Sequence, residues 1–147
     1  MDYTRSSTVI TWRLHLSSST EEVYQMLSTN EGRARFWAES AVETNMTIDF
    51  IFPNGQKWRG RIIEQIPSKR FVVEYLGDSV TSFDLEDDGS GGSLLTLRDS
   101  AVRAEEWEEV TAGWVSVLMA LKAAVDFGID LRNHDSRYIW EEGFVEN

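Results

Sequence analysis

The sequence predicts an α+β fold in which a curved, six-stranded antiparallel sheet wraps around one long C-terminal helix, the helix-grip arrangement. In residues 104–128 apolar side chains recur at spacings of three and four, the period of an amphipathic helix. Earlier segments alternate apolar and polar side chains and are joined by short turns, which is typical of strands with one wet face. A sheet with one apolar face needs a cover, and this helix is the one predicted element large enough.

The chain begins with a strand and two short helices. Residues 8–16 alternate, which predicts the first strand. Ser19 and Glu22 have the spacing of a capping box, and the register one residue earlier fits too, so a helix is expected to start here. Residues 29–30 interrupt its apolar stripe, and residues 31–37 are expected to form a second, shorter helix.

Five hairpin-linked strands are expected to follow. They are predicted over residues 42–52, 56–66, 70–76, 79–86 and 94–99. The Asn-Gly pair between the first two is a strong hairpin signal, because both central residues of such a turn need positive φ. The long helix then carries glutamates at its start and Gly128 at its end, where a left-handed residue stops helices.

Composition limits the possible functions. The 147 residues fit a single domain, with residues 129–147 expected to pack on it as a C-terminal tail. The net charge of −11 opposes binding to phosphate backbones and anionic lipid, so nucleic-acid and membrane partners are not expected. The polar N-terminus lacks the apolar core of a signal peptide, which favours a cytoplasmic protein. With no cysteine and no metal-ligand spacing around the two histidines, neither a metal nor a cofactor is expected.

The order of elements resembles the START-like, helix-grip superfamily (SRPBCC), which includes the birch-pollen-allergen proteins and polyketide cyclases. The likeness is carried by residues 19–24, by Arg35-Phe36-Trp37-Ala38, and by residues 94–97, 114–121 and 130–135. Within the superfamily the chain looks most like the branch named for activators of the ATPase of the ninety-kilodalton heat-shock protein. The resemblance implies a cavity between the long helix and the concave sheet that holds apolar or amphipathic small molecules. It implies no shared catalytic set.

Strand and helix periodicity assign the side chains that face this expected cavity. From the sheet they are Trp12, Met46, Ile48, Phe50, Trp58, Ile62, Val73, Tyr75, Phe83, Leu95 and Leu97, and from the helix Val110, Trp114, Val117, Leu118 and Leu121. A solid aromatic core explains this pattern as well as a ligand pocket does. Tyr75, Thr44 and Thr81 share the inward parity and are candidate polar anchors, although backbone or water could satisfy each of them.

Five further residues have two interpretations each. Glu64 and Asp99 also have inward parity, but both lie near strand ends, which favours solvation over a role as acid or base. Gly113 interrupts the long helix, and close approach of a strand or loop backbone is the favoured explanation, ahead of room for a ligand. Arg33 and Arg35 could meet an anionic head group, but are expected to be solvated charges.

The long helix also has apolar residues on the side away from the sheet. Val115, Met119 and Ala123 form this second stripe, where a one-sided helix should be polar. The expected cover is the tail, through Tyr138, Trp140 and Phe144, or else a dimer contact.

Three functions remain open on the sequence. The first is a non-enzymatic protein, monomer or homodimer, that binds an apolar small molecule. The second is a cyclase- or hydrolase-type enzyme that uses Tyr75 or Glu64 as acid or base. The third is an interaction module with a chaperone partner. A cavity above ~300 Å³ would support the first two, and a buried carboxylate inside it would favour the second.

Overall fold

A computed structural model describes residues 9–147 of the chain. Thr8, at the start of the predicted first strand, and the polar segment before it lie outside the described residues. In chain order the elements are β1 (Ile10–Leu16), α1 (Thr20–Ser28), α2 (Asn30–Ala34), β2 (Ser40–Thr44), β3 (Thr47–Ile51), β4 (Lys57–Ile66), β5 (Arg70–Tyr75), β6 (Ser79–Asp87), β7 (Ser93–Ser100) and α3 (Trp107–Phe127). Short 3₁₀ turns occur at residues 76–78, 104–106 and 140–142.

The strands form one antiparallel sheet in the order β1-β7-β6-β5-β4-β3-β2, which confirms the predicted α+β helix-grip fold. The sheet has seven strands instead of six, because the predicted strand 42–52 is a hairpin. Asn45 and Met46, with φ of 50° and 64°, make its two-residue turn. Such a turn requires positive φ at both central residues.

This turn reverses the parity of the strand before it. Ala41 pairs with Phe50, and both side chains face inward. The alternate residues of β2, which the sequence pattern had assigned to the inner face, therefore face outward. Thr44 lies exposed beside the turn, and Met46 is exposed within it. The assignment of Thr44 and Met46 to the cavity is therefore wrong.

Helix α3 lies in the hollow of the sheet, as predicted. Trp114 and Leu118 are only 3% and 4% exposed, and Leu121 is fully buried. Gly128 adopts the left-handed conformation (φ 66°), and the next amide donates to the carbonyl of Ala123, so the helix ends as expected. By length and composition α3 could cross a membrane, but here it is the core helix of the domain.

The short helices are fixed by side-chain hydrogen bonds. Ser19 accepts from the amide of Glu22, whose carboxylate accepts from the Ser19 amide, which completes the predicted capping box. Arg33 is fully buried, so the expectation of a solvated charge is wrong for this residue. Its guanidinium donates to the carbonyls of Leu27 and Ala41, at 3.0 Å each, and to the Asn30 side chain. These bonds tie α1, α2 and β2 together.

Residues 129–147 run back along the domain. Arg132 donates to the carbonyl oxygens of Ala34 and Ala38 at 2.7 and 2.8 Å. His134 hydrogen-bonds to Glu39 at 2.8 Å. These contacts hold the start of the tail against the segment that follows α2.

The tail does not cover the second apolar stripe of α3. Val115 and Met119 remain 42% and 48% exposed, whereas Ala123 is buried, so the expectation that the tail shields the whole stripe is wrong. Trp140 donates instead to Glu109, and the hydroxyl of Ser116 donates to the carbonyl of Val145. The tail therefore follows the neighbouring flank of the helix.

Candidate functional site

An open cavity of about 490 Å³ lies between the concave sheet, α3 and the C-terminal tail. Its walls are largely aromatic, with carboxylates and small residues among them. The aromatic side chains are Phe36, Trp37, Phe52, Trp58, Tyr75, Trp114 and Trp140. Ligand pockets in proteins typically measure ~300–1,000 Å³ and are mostly apolar with a few polar groups, so both the volume and the lining fit a small-molecule site.

The structure separates the predicted site residues into three groups. Trp58, Tyr75, Val110, Trp114 and Val117 line the cavity. The closed part of the core contains Ile48, Phe50, Ile62, Val73, Phe83, Leu95, Leu97, Leu118 and Leu121. Trp12 lies at the edge of the sheet, 37% exposed, and donates to the carbonyl of Thr111, while Met46 lies in the β2–β3 turn. The concave face is thus a packed core over much of its area and open beside the first half of α3.

Trp37 is the main wall residue that the sequence did not assign to the cavity. It follows α2 and is buried between the sheet and the long helix. Its ring centroid lies 5.5 Å from that of Tyr75 and 6.2 Å from that of Trp114, and those two are 5.3 Å apart. The three rings therefore form one mutually packed cluster at the cavity wall.

Tyr75 presents a hydroxyl group at this cluster. The side chain is 7% exposed, and its oxygen accepts a 3.0 Å hydrogen bond from the indole nitrogen of Trp37. Burial raises the pKa of Tyr75 far above its usual value, so the hydroxyl keeps its proton at physiological pH. No protein acceptor for this proton is found among residues 9–147, which leaves a donor available to a ligand.

Asp99 is buried beside the same cluster, at 2% exposure, so the prediction that it is solvated is wrong. Strand β7 continues to Ser100, and Trp114 covers this end of it. Oδ1 of Asp99 accepts from the hydroxyl of Thr81 at 2.9 Å, and Oδ2 accepts from the indole of Trp114 at 2.8 Å. Thr81, a candidate anchor, is therefore satisfied by this carboxylate.

Burial raises the pKa of Asp99, and the hydrogen bonds from Trp114 and Thr81 oppose that shift without cancelling it. A carboxyl group of this kind, on the lining of a cavity, has the environment of a general acid or base.

Glu64 does not reach the cavity. It is exposed and pairs with Arg70 at 2.9 Å, so the expectation of solvation is confirmed. Among residues 9–147, no three His, Cys, Asp or Glu side chains lie close enough together to hold a metal ion.

Gly113 faces the cavity. A Cβ atom at this position would meet no heavy atom within 4 Å, so no strand or loop backbone approaches the helix here. The favoured prediction of a close backbone contact is wrong, and the missing side chain leaves space in the cavity. Ser116 and Ala120, on the same flank of α3, also line it.

Comparison with known proteins agrees with this architecture. A family model described as activator of Hsp90 ATPase homolog 1-like protein matches residues 17–126. No curated protein matches the sequence.

Three solved structures illustrate the shared fold. The Aha1 dimer from Colwellia psychrerythraea is 23% identical, with 82% of this chain and 97% of that chain covered and a TM-score of 0.73. CalU16 from Micromonospora echinospora is 19% identical over 82% and 77% of the chains, at a TM-score of 0.68. EF2215 from Enterococcus faecalis, a conserved protein of unknown function, is 18% identical over 95% and 86%, also at 0.68. The family match covers most of the chain, and this protein therefore belongs to the family of activator of Hsp90 ATPase homolog 1-like proteins.

Proposed function

We propose that this protein binds a small apolar or amphipathic molecule in the cavity between the sheet, α3 and the tail. The observation that carries the proposal is the open, aromatic-walled space of about 490 Å³. A core that served stability alone would be close-packed, because empty apolar space forfeits contacts and costs free energy. The proposed compartment is the cytoplasm.

Two features of the cavity support binding. Gly113 costs α3 about 1 kcal/mol relative to alanine. No packing contact requires this glycine, since a Cβ there would meet nothing. The free hydroxyl proton of Tyr75 and the carboxyl group of Asp99 provide polar groups that could orient a ligand.

The buried carboxyl group of Asp99 also supports a second candidate function, acid–base catalysis on the bound molecule. Asp99 replaces Glu64 as the candidate acid or base, with Tyr75 as the neighbouring proton donor. This enzyme would use the same cavity, so the two proposals differ only in whether the ligand leaves unchanged.

Native mass spectrometry of the freshly purified protein tests the binding proposal. We expect an adduct of one small molecule that disappears when the same sample is denatured. We also expect the neutral dye N-phenyl-1-naphthylamine to bind in a 1:1 ratio with an increase in fluorescence. A bare protein mass together with no response of the dye would contradict the proposal.

Incubation of the recovered molecule with the protein separates binding from catalysis. If its mass changes with the wild type but not with Asp99→Asn, the protein is an enzyme. An unchanged mass in both cases supports a binding protein.

A further inference from the structure

We propose that the ligand of this cavity is an organic cation, with an apolar or aromatic body that carries a protonated or quaternary amine. This inference rests on the proposed binding function and names the chemical class of its ligand.

The first argument is a set of carboxylates without counter-charges. Asp99, Glu106, Glu109 and Glu141 come from three different parts of the chain and all line the cavity. None of them forms an ion pair with a described residue. Negative charge therefore collects around this one space, and no cation among residues 9–147 forms an ion pair that balances it.

Three of these carboxylates accept hydrogen bonds from uncharged side chains of the described residues. The indole of Trp114 donates to Asp99, the indole of Trp140 donates to Glu109 at 3.2 Å, and the amide of Asn54 donates to Glu141 at 2.6 Å. Neutral donors hold the carboxylates in place and leave their charge available to a ligand.

Arg132 is the cationic side chain of the described lining, but its charge is already used. Its guanidinium pairs with Asp130 at 3.1 Å and donates to two backbone carbonyls near α2. An anionic ligand would therefore meet unbalanced carboxylates and no free cation in the described part of the lining, and would be repelled.

The aromatic walls provide the second argument. Trp37, Tyr75 and Trp114 form the inner cluster, and Trp58 and Trp140 lie at the same cavity. The faces of aromatic rings attract cations, tryptophan most strongly, and such cages recognise quaternary ammonium groups. Aromatic rings also bind neutral apolar ligands, so it is the combination with unpaired carboxylates that selects a cation.

Isothermal titration calorimetry with three probes of one aromatic body tests this. The probes are 1-naphthylmethyltrimethylammonium, 1-naphthylmethanol and 1-naphthylacetate, which carry a cation, a neutral group and an anion. We expect the cation to bind at least about tenfold more tightly than the alcohol, and the anion to bind more weakly than both. Equal binding of cation and alcohol overturns the cation inference but leaves the proposed function standing. If none of the three binds, the proposed function fails with it.

Matched variants locate the preference. Asp99→Asn keeps the side-chain volume and should lower the affinity for the cation about tenfold, with little change for the alcohol. If this variant does not fold, Glu109→Gln should lower cation affinity about threefold, while Glu108→Gln, an exposed neighbour outside the lining, should not. Equal losses in Glu108→Gln and Glu109→Gln would assign the preference to overall charge and overturn the proposal.

Discussion

Gly113 offers a direct test of whether the cavity serves binding at the expense of stability. The residue lies inside α3, lines the cavity, and has no heavy atom within 4 Å of the position that a Cβ would occupy. Alanine should therefore fit without strain and remove the helix penalty of glycine. We expect Gly113→Ala to stabilise the protein by about 1 kcal/mol. For a domain of this size that corresponds to a rise in Tm of about 3 °C.

Gly113→Leu separates stability from binding. Leucine is nearly as good a helix former as alanine, so the fold should be kept, but its side chain extends into the cavity. We expect N-phenyl-1-naphthylamine to bind at least about tenfold more weakly, because the ligand and the leucine compete for one space. Thermal unfolding followed by circular dichroism gives the stability, and dye fluorescence gives the affinity.

Ala112→Leu is the matched control for this experiment. Ala112 is the preceding residue of α3, is exposed and does not line the cavity, so the same added side chain should leave dye binding unchanged. Wild-type dye affinity in Gly113→Leu would show that the space beside this glycine is not the binding site. A loss of stability in Gly113→Ala would show that this space is not open.

Three further predictions concern the stability of the fold that surrounds the cavity. Arg33→Met removes the donor to two buried carbonyls and should lower the free energy of unfolding by about 3 kcal/mol in urea denaturation; a loss below ~1 kcal/mol would contradict the buried network. Gly60→Ala would place a Cβ against the carbonyl oxygen of Glu74 in β5 and should lower the free energy of unfolding by about 1–3 kcal/mol in the same assay. An unchanged denaturation midpoint would refute that contact. The hydrogen bond to Asp130, and after it the one to Glu39, raises the pKa of His134. Protonated His134 therefore stabilises the folded protein below the unfolded pKa of about 6.5, and this contribution is lost as the pH rises through the higher folded pKa. His134→Gln should therefore destabilise by less than about 1 kcal/mol at pH 6 and have no effect at pH 9; an equal effect at both would argue against the charged contact.

The spacing of apolar residues was sufficient to predict that the sheet wraps around α3, because both elements present one wide apolar face. The same spacing did not predict the β2–β3 hairpin, because the alternation of apolar and polar residues continues across the turn. Met46 is an unusual residue for positive φ, so no turn residue except Asn45 marked the position. A two-residue turn also reverses parity, and the errors at Thr44 and Met46 follow from that.

The open cavity was harder to predict than the core around it. Periodicity assigns a side chain to a face, but it cannot show whether the space in front of that face is filled. Leu95 and Leu97 share a face with the cavity residues and lie in the packed core. Gly113 was the residue that could have indicated the cavity. A glycine inside a helix that no close contact requires leaves open space beside the helix. Asp99 also had the right parity, but its burial depends on the cover provided by Trp114, a contact between distant parts of the chain.

The most direct test of the binding site is an NMR measurement of nuclear Overhauser effects between bound N-phenyl-1-naphthylamine and methyl groups of α3. Val110 and Val117 line the cavity, whereas Val115 and Met119 lie exposed on another side of the same helix. We predict contacts from the dye to the methyl groups of Val110 and Val117 and none to Val115 or Met119. Contacts to Val115 and Met119 alone would show that ligands bind the outer surface, and would contradict the binding site described above.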